Sequence, residues 1–144
     1  MSTTDAFKQY YLGFNQEAIA KLDQIYTSDI VFIDPIHEIK GLDNVKQYFS
    51  EMCGNLSHCQ FSFHGETIAD DSAWFKWVME YRHPRLKSGK LMSLTGATYI
   101  RYDSIDSKIK AHEDFYDMGS MIYEHIPLLG GAVGLLKQRL AKTA

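Results

Sequence analysis

The chain has 144 residues, 45% hydrophobic and 23% charged, enough for one compact core without disulfide support. A formal charge of −3 with scattered Lys and Arg excludes the basic footprint of a nucleic-acid binder. No apolar run approaches the roughly 20 residues of a membrane span, and the opening "MSTTDAFKQYY" has neither a basic start nor an apolar core, so the expected address is cytoplasmic.

Phe7, Tyr10, Tyr11 and Phe14 recur at helical spacing, which predicts a short first helix capped from the Ser2 to Thr4 region. Ile19, Leu22, Ile25 and Tyr26 predict a second helix. Val45, Tyr48, Phe49 and Met52 predict a third, after Gly41 and the capping candidate Asp43. Between the last two, "DIVFIDPIHEIKG" is rich in β-branched residues and bent at Pro35, as two short strands of an edge hairpin would be.

From His58 the period changes to two, in the runs "HCQFSFHGETI", "SAWFKWVMEYRH", "KLMSLTGATYIRYD" and "SKIKAHEDFYDM". The separators "ADD", "PRLKSG" and "SID" are short enough for consecutive hairpins, so these strands form an antiparallel meander rather than a βαβ array. After Met118 the pattern is helical again through Met121, Ile122, Ile126 and Leu129, until Pro127 and Gly130-Gly131 break it. A last helix places Val133, Leu136 and Leu140 on one side and Lys137, Arg139 and Lys142 on the other. That tail is expected to pack against the sheet or a second copy, in preference to touching a membrane. The class is α+β, residues 1–144 forming a single domain with 118–144 as a helical tail.

Alternation sorts the side chains into faces. Phe75, Trp77, Met79 and Tyr81 share an inner face, whereas Lys76, Val78, Glu80 and Arg82 face outward. On the last strand His112, Asp114 and Tyr116 share one face and Glu113, Phe115 and Asp117 the other, and the pattern does not choose between them. If the first set points inward, Asp34, His112 and Asp114 are ionisable groups in a cavity walled by Tyr48, Trp77, Met79 and Tyr116. His112 and Asp114, two positions apart on one face, are about 6.5 to 7 Å apart at Cα, within reach of an acid-base pair.

The segments "IYTSDIVFIDPIHEIKGLDNVKQYF" and "SKIKAHEDFYDMG" resemble the nuclear transport factor two-like superfamily, and within it the SnoaL-like and ketosteroid isomerase-like proteins. The resemblance implies a cone-shaped roll, a curved, mostly antiparallel sheet wrapped around N-terminal helices with a pocket at its open end, commonly as a homodimer. It implies a general base at Asp34, pocket residues at His112 and Tyr116, and at Asp114 one of the carboxylates of limonene epoxide hydrolase-like members. Thr98 stands where the steroid isomerases keep an acid of the oxyanion hole, and Tyr10 is the candidate for its tyrosine, so the match to a steroid isomerase is incomplete.

The expected function is cofactor-free acid-base chemistry, an isomerase, cyclase or hydrolase acting on a small lipophilic compound through Asp34, His112 and Asp114. The alternatives are a non-catalytic carrier or sensor, and a dimeric interaction module. The Asp-Pro corner has a structural reading as well, a turn braced by its own carboxylate. Tyr10, Tyr26 and His37 complete the candidate ligand contacts. His37 and Glu38 could join His112 around a metal, but no ligand spacing supports one, and no metal is expected. Cys53 and Cys59 are expected to be free thiols.

Overall fold

A computed structural model describes residues 2–103, 105–121 and 129–143. Helix α1 (Thr3–Leu12) begins at Ser2, whose hydroxyl accepts the Asp5 amide at 3.1 Å, and it buries Phe7 and Tyr11. A 3₁₀ segment (Glu17–Gln24) follows, then strands β1 (Tyr26–Ile33) and β2 (Glu38–Lys40) and helix α2 (Leu42–Asn55). Strands β3 (His58–Ile68), β4 (Ser72–Arg82), β5 (Met92–Tyr102) and β6 (Ile109–Tyr116) come next, then α3 (Met118–Met121) and α4 (Leu129–Thr143).

The six strands form one curved sheet in the order β2-β1-β6-β5-β4-β3. The four long strands are the antiparallel meander their spacing predicts. The Asp-Pro hairpin does lie at an edge, but only β2 is exposed there, because β1 pairs in parallel with β6. The chain between β1 and β6 supplies the long crossover that parallel pairing requires. Helices α1 and α2 lie against the inner face, where Phe7, Phe49, Phe75 and Ile100 share one apolar cluster.

Three expectations are corrected. The second helix is a 3₁₀ segment: Ile19 and Leu22 are i, i+3 neighbours, a spacing that serves three residues per turn as well as 3.6. Tyr26 opens β1 instead of closing that helix, since the β-branched residues after it extend the backbone. Asp43 sits in the first turn of α2, favourable for the helix dipole, while the N-cap is Gly41 at φ +92°, a conformation that disfavours any side chain.

In the tail, Gly130 and Gly131 lie within the first turn of α4 rather than ending a helix. Ile122, Ile126 and Pro127 fall outside the described residues. Leu136 and Leu140 are 59% and 60% exposed, and Lys137 Nζ reaches Asp117 Oδ2 at 2.6 Å. Among the described residues no helix is long and apolar enough to cross a membrane.

Trp77 on β4 lies opposite Gly96 on β5. A Cβ at position 96 would stand 2.4 Å from both Cη2 and Cζ2 of Trp77 and 3.0 Å from the Phe115 carbonyl oxygen. The indole is wedged there by its own hydrogen bond to Thr98 at 2.8 Å. Gly96→Ala should cost roughly 1–3 kcal/mol of stability in a denaturant titration and shift tryptophan emission; an unchanged midpoint would show that the indole has room to move.

Candidate functional site

The site lies between two apolar clusters, one built around Phe7 and Phe32 and the other around Trp77, Met79 and Leu94. Between them is a cavity of about 60 Å³, whose wall includes Asp34, Tyr48, Thr98, His112, Asp114 and Tyr116. A volume above roughly 15 Å³ admits a water, so this one has room for more than one. The face left open by alternation is therefore resolved: His112, Asp114 and Tyr116 point inward, while Phe115 is 45% exposed.

Register explains the cluster. Phe32 of β1 and Ile100 of β5 flank His112, and Thr98 of β5 lies directly opposite Asp114. The His112 ring is 2% exposed, with Phe32 at 4.7 Å and Phe7 at 5.7 Å between ring centres. Its Nε2 lies 2.7 Å from Asp114 Oδ1 and its Nδ1 lies 2.6 Å from the Tyr26 hydroxyl, which in turn meets the Tyr11 hydroxyl at 2.6 Å. From the other side Trp77 Nε1 donates to Thr98 Oγ1 at 2.8 Å, and Thr98 donates to Asp114 Oδ1 at 2.5 Å.

Counting protons gives these bonds a direction. Among the described residues Tyr11 has only the Tyr26 oxygen to donate to, so Tyr26 donates onward to His112 Nδ1, and Nε2 carries the proton given to Asp114. Any reversed order leaves a phenolic proton without an acceptor in an apolar wall. Two donor chains thus end on one oxygen, Asp114 Oδ1. The other, Oδ2, has no hydrogen-bond partner among the described residues, and the Asp114 side chain is 19% exposed.

Asp34 is held differently. Its Oδ1 accepts the backbone amides of Ile36 at 2.9 Å and His37 at 2.7 Å, and its own amide donates to the His37 carbonyl at 3.0 Å. Oδ2 accepts the Tyr48 hydroxyl. This is the braced Asp-Pro turn, built into the cavity wall. His37 flanks it from outside, with Nδ1 3.3 Å from Asp34 Oδ1 and its side chain 43% exposed.

Of the residues singled out from the sequence, Asp34, Tyr48, Trp77, Met79, Thr98, His112, Asp114 and Tyr116 come together around the cavity. Three do not line it. Tyr26 bonds His112 from behind, His37 lies beside Asp34, and Tyr10 turns away to donate its hydroxyl to the Ala18 carbonyl at 2.8 Å. The residue missed is Tyr11, adjacent to Tyr10 but rotated about 100° around the helix, which puts it on the cavity side. Period-two alternation in β3 also marks Phe61 and Phe63, both in the wall. Among the described residues no group of three or more His, Cys, Asp or Glu is arranged to hold a metal.

Burial, joined by the nearby carboxylates, pushes the Tyr48 and Tyr116 hydroxyls above their ordinary range, so both remain protonated donors. Burial likewise raises Tyr11 and Tyr26 well above the usual 10.0. The folded chain therefore holds these protons more tightly than the unfolded chain does. Stability should be unaffected by them below about pH 10 and fall steeply above it. Tyr26→Phe should flatten that alkaline limb in unfolding curves collected across pH; an unaltered slope would mean that Tyr26 is not a protonated link.

Residues 7–112 match the family model described as a SnoaL-like domain. No curated protein matches the chain. Among solved structures, a hypothetical protein with a ketosteroid isomerase-like fold from Catenulispora acidiphila, in complex with trimethylamine, aligns with a TM-score of 0.70 at 14% identity, over 85% of this chain and 90% of its own. A candidate SnoaL-like polyketide cyclase from Jannaschia aligns at 0.72 and 8%, over 83% and 88%. TerC, co-crystallised with polyporic acid, aligns at 0.70 and 14%, over 83% and 94%. At such identities the likeness to these structures is one of fold, and it is the family match over more than half the sequence that makes this chain a member of the SnoaL-like domain family.

Proposed function

We propose that this protein is a cofactor-independent acid-base enzyme, an isomerase or cyclase in kind, acting on a small lipophilic compound inside the cavity, with Asp114 as its base. The observation that carries the reading is the asymmetry of that carboxylate. Oδ1 is fixed by His112 and Thr98, while Oδ2, in a wall of aromatic rings, has no hydrogen-bond partner among the described residues. A base so held keeps its orientation and has one oxygen able to take a proton.

In the proposed reaction Oδ2 accepts a proton from substrate carbon or hydroxyl, the electron pair stays within the substrate, and the same oxygen returns the proton at a second position. No co-reactant is needed for balance. Tyr116, whose hydroxyl has no partner among the described residues, donates to charge that develops on the substrate. Tyr26 and His112 act as positioning residues for Asp114. Asp34, with Oδ1 held by two backbone amides, positions Tyr48 and the turn. Relatives of this fold crystallised with trimethylamine and with polyporic acid support a small-molecule occupant.

The outer face of the sheet supports a homodimer. Trp74 lies 4.9 Å from Tyr99 and 5.6 Å from Phe115 between ring centres, and Trp74 and Phe115 are 43% and 45% exposed. Such an aromatic patch is what a second copy would cover.

Two experiments test this function. Small molecules released from gently purified protein are identified by mass spectrometry, then returned to the protein in D2O. An enzyme incorporates deuterium into the ligand, and Asp114→Asn slows incorporation by roughly 10²–10⁴ while leaving the fold intact. Asp34→Ala should instead cost about 1–3 kcal/mol of stability. A stoichiometric ligand that never exchanges would make the protein a carrier. Sedimentation should give a dimer that Trp74→Glu dissociates; a wild-type monomer at micromolar concentration removes the dimer.

A further inference from the structure

The charge of the cavity is one-sided. Among the described residues its wall contains two carboxylates, Asp34 and Asp114, and no Lys or Arg. Among the described residues the ion-pair partners of these acids are His37 and His112 alone. The donor chain from Tyr11 turns Nδ1 of His112 toward Tyr26 and leaves Nε2 to Asp114, so both ring nitrogens are engaged.

The donors that would receive an anion or a carbonyl oxygen are engaged. Trp77 Nε1 is bound to Thr98, Thr98 to Asp114, and Tyr48 to Asp34. Among the described residues Tyr116 alone remains. An anionic ligand would face two like charges with one hydrogen bond to offset them. The rest of the wall, including Phe32, Phe61, Trp77 and Tyr116, offers aromatic rings, whose quadrupoles attract cations.

We propose that the ligand is a small lipophilic cation, a quaternary ammonium or protonated tertiary amine, held between the Asp34 and Asp114 carboxylates and the surrounding rings. This rests on the reading of the cavity as a substrate site. Alkyl groups spread the charge and lower the cost of leaving water, which an inorganic cation or a primary ammonium pays in full.

Calorimetric titration of the wild-type protein with tetramethylammonium chloride and, separately, tert-butanol separates charge from shape, because the two have the same number of heavy atoms. The ammonium should bind at least about tenfold more tightly. Asp114→Asn, confirmed as folded by circular dichroism, should reduce that preference by about tenfold; Asp34→Asn serves if the first variant does not fold. Equal affinities for the two probes would overturn the cation and leave the cavity as a site for neutral ligands. No saturable binding of either would overturn the inference together with the reading beneath it.

Discussion

The bond between His112 and Asp114 is the interaction on which the rest of this structure depends. An ionised carboxylate enclosed by aromatic rings costs several kcal/mol unless donors replace its water, and each charge-assisted hydrogen bond returns about 1.5–3 kcal/mol. Asp114 obtains them from His112 and from Thr98. Each donor is itself held by another, Tyr26 behind His112 and Trp77 behind Thr98. The rotamers of β1, β4, β5 and β6 are thereby locked to one oxygen atom, and Tyr11 brings α1 into the same arrangement.

The two cavity acids show how the same side chain takes different roles by its donors. Asp34 is closed off on Oδ1 by backbone amides, which no side-chain motion can withdraw, and on Oδ2 by Tyr48. Among the described residues Asp114 is anchored by one oxygen only. Among the described residues the wall around both has no Lys or Arg, so the polarity of the site is set by carboxylates and by phenols whose protons burial retains. The fold alone would not have indicated this, since folds host many chemistries and the site decides among them.

Sheet order is what brings the acids into one cavity. Asp34 follows the end of β1 and Asp114 lies near the end of β6, and these strands run side by side in parallel. Both carboxylates are thus delivered to the same end of the sheet although 80 positions separate them in sequence. Gly96 contributes by absence, its missing side chain being the space in which the Trp77 indole lies.

Much of this was legible in the residues. Period-two alternation placed Trp77 and Met79 inside, the helical stripe placed Phe7 and Phe14 in the core, and the Asp-Pro corner marked Asp34 as unusual. Local spacing carries that information because burial repeats with the geometry of the element. It was insufficient where two geometries share a spacing, as at Ile19 and Leu22, or where adjacent identical residues differ only in direction, as with Tyr10 and Tyr11. The sequence by itself determined the elements, their inner faces and the acids available. Only the tertiary structure decided which phenol reaches His112, which oxygen of Asp114 stays open and that β1 lies along β6, because those are distances between residues far apart in the chain, and no local periodicity records them.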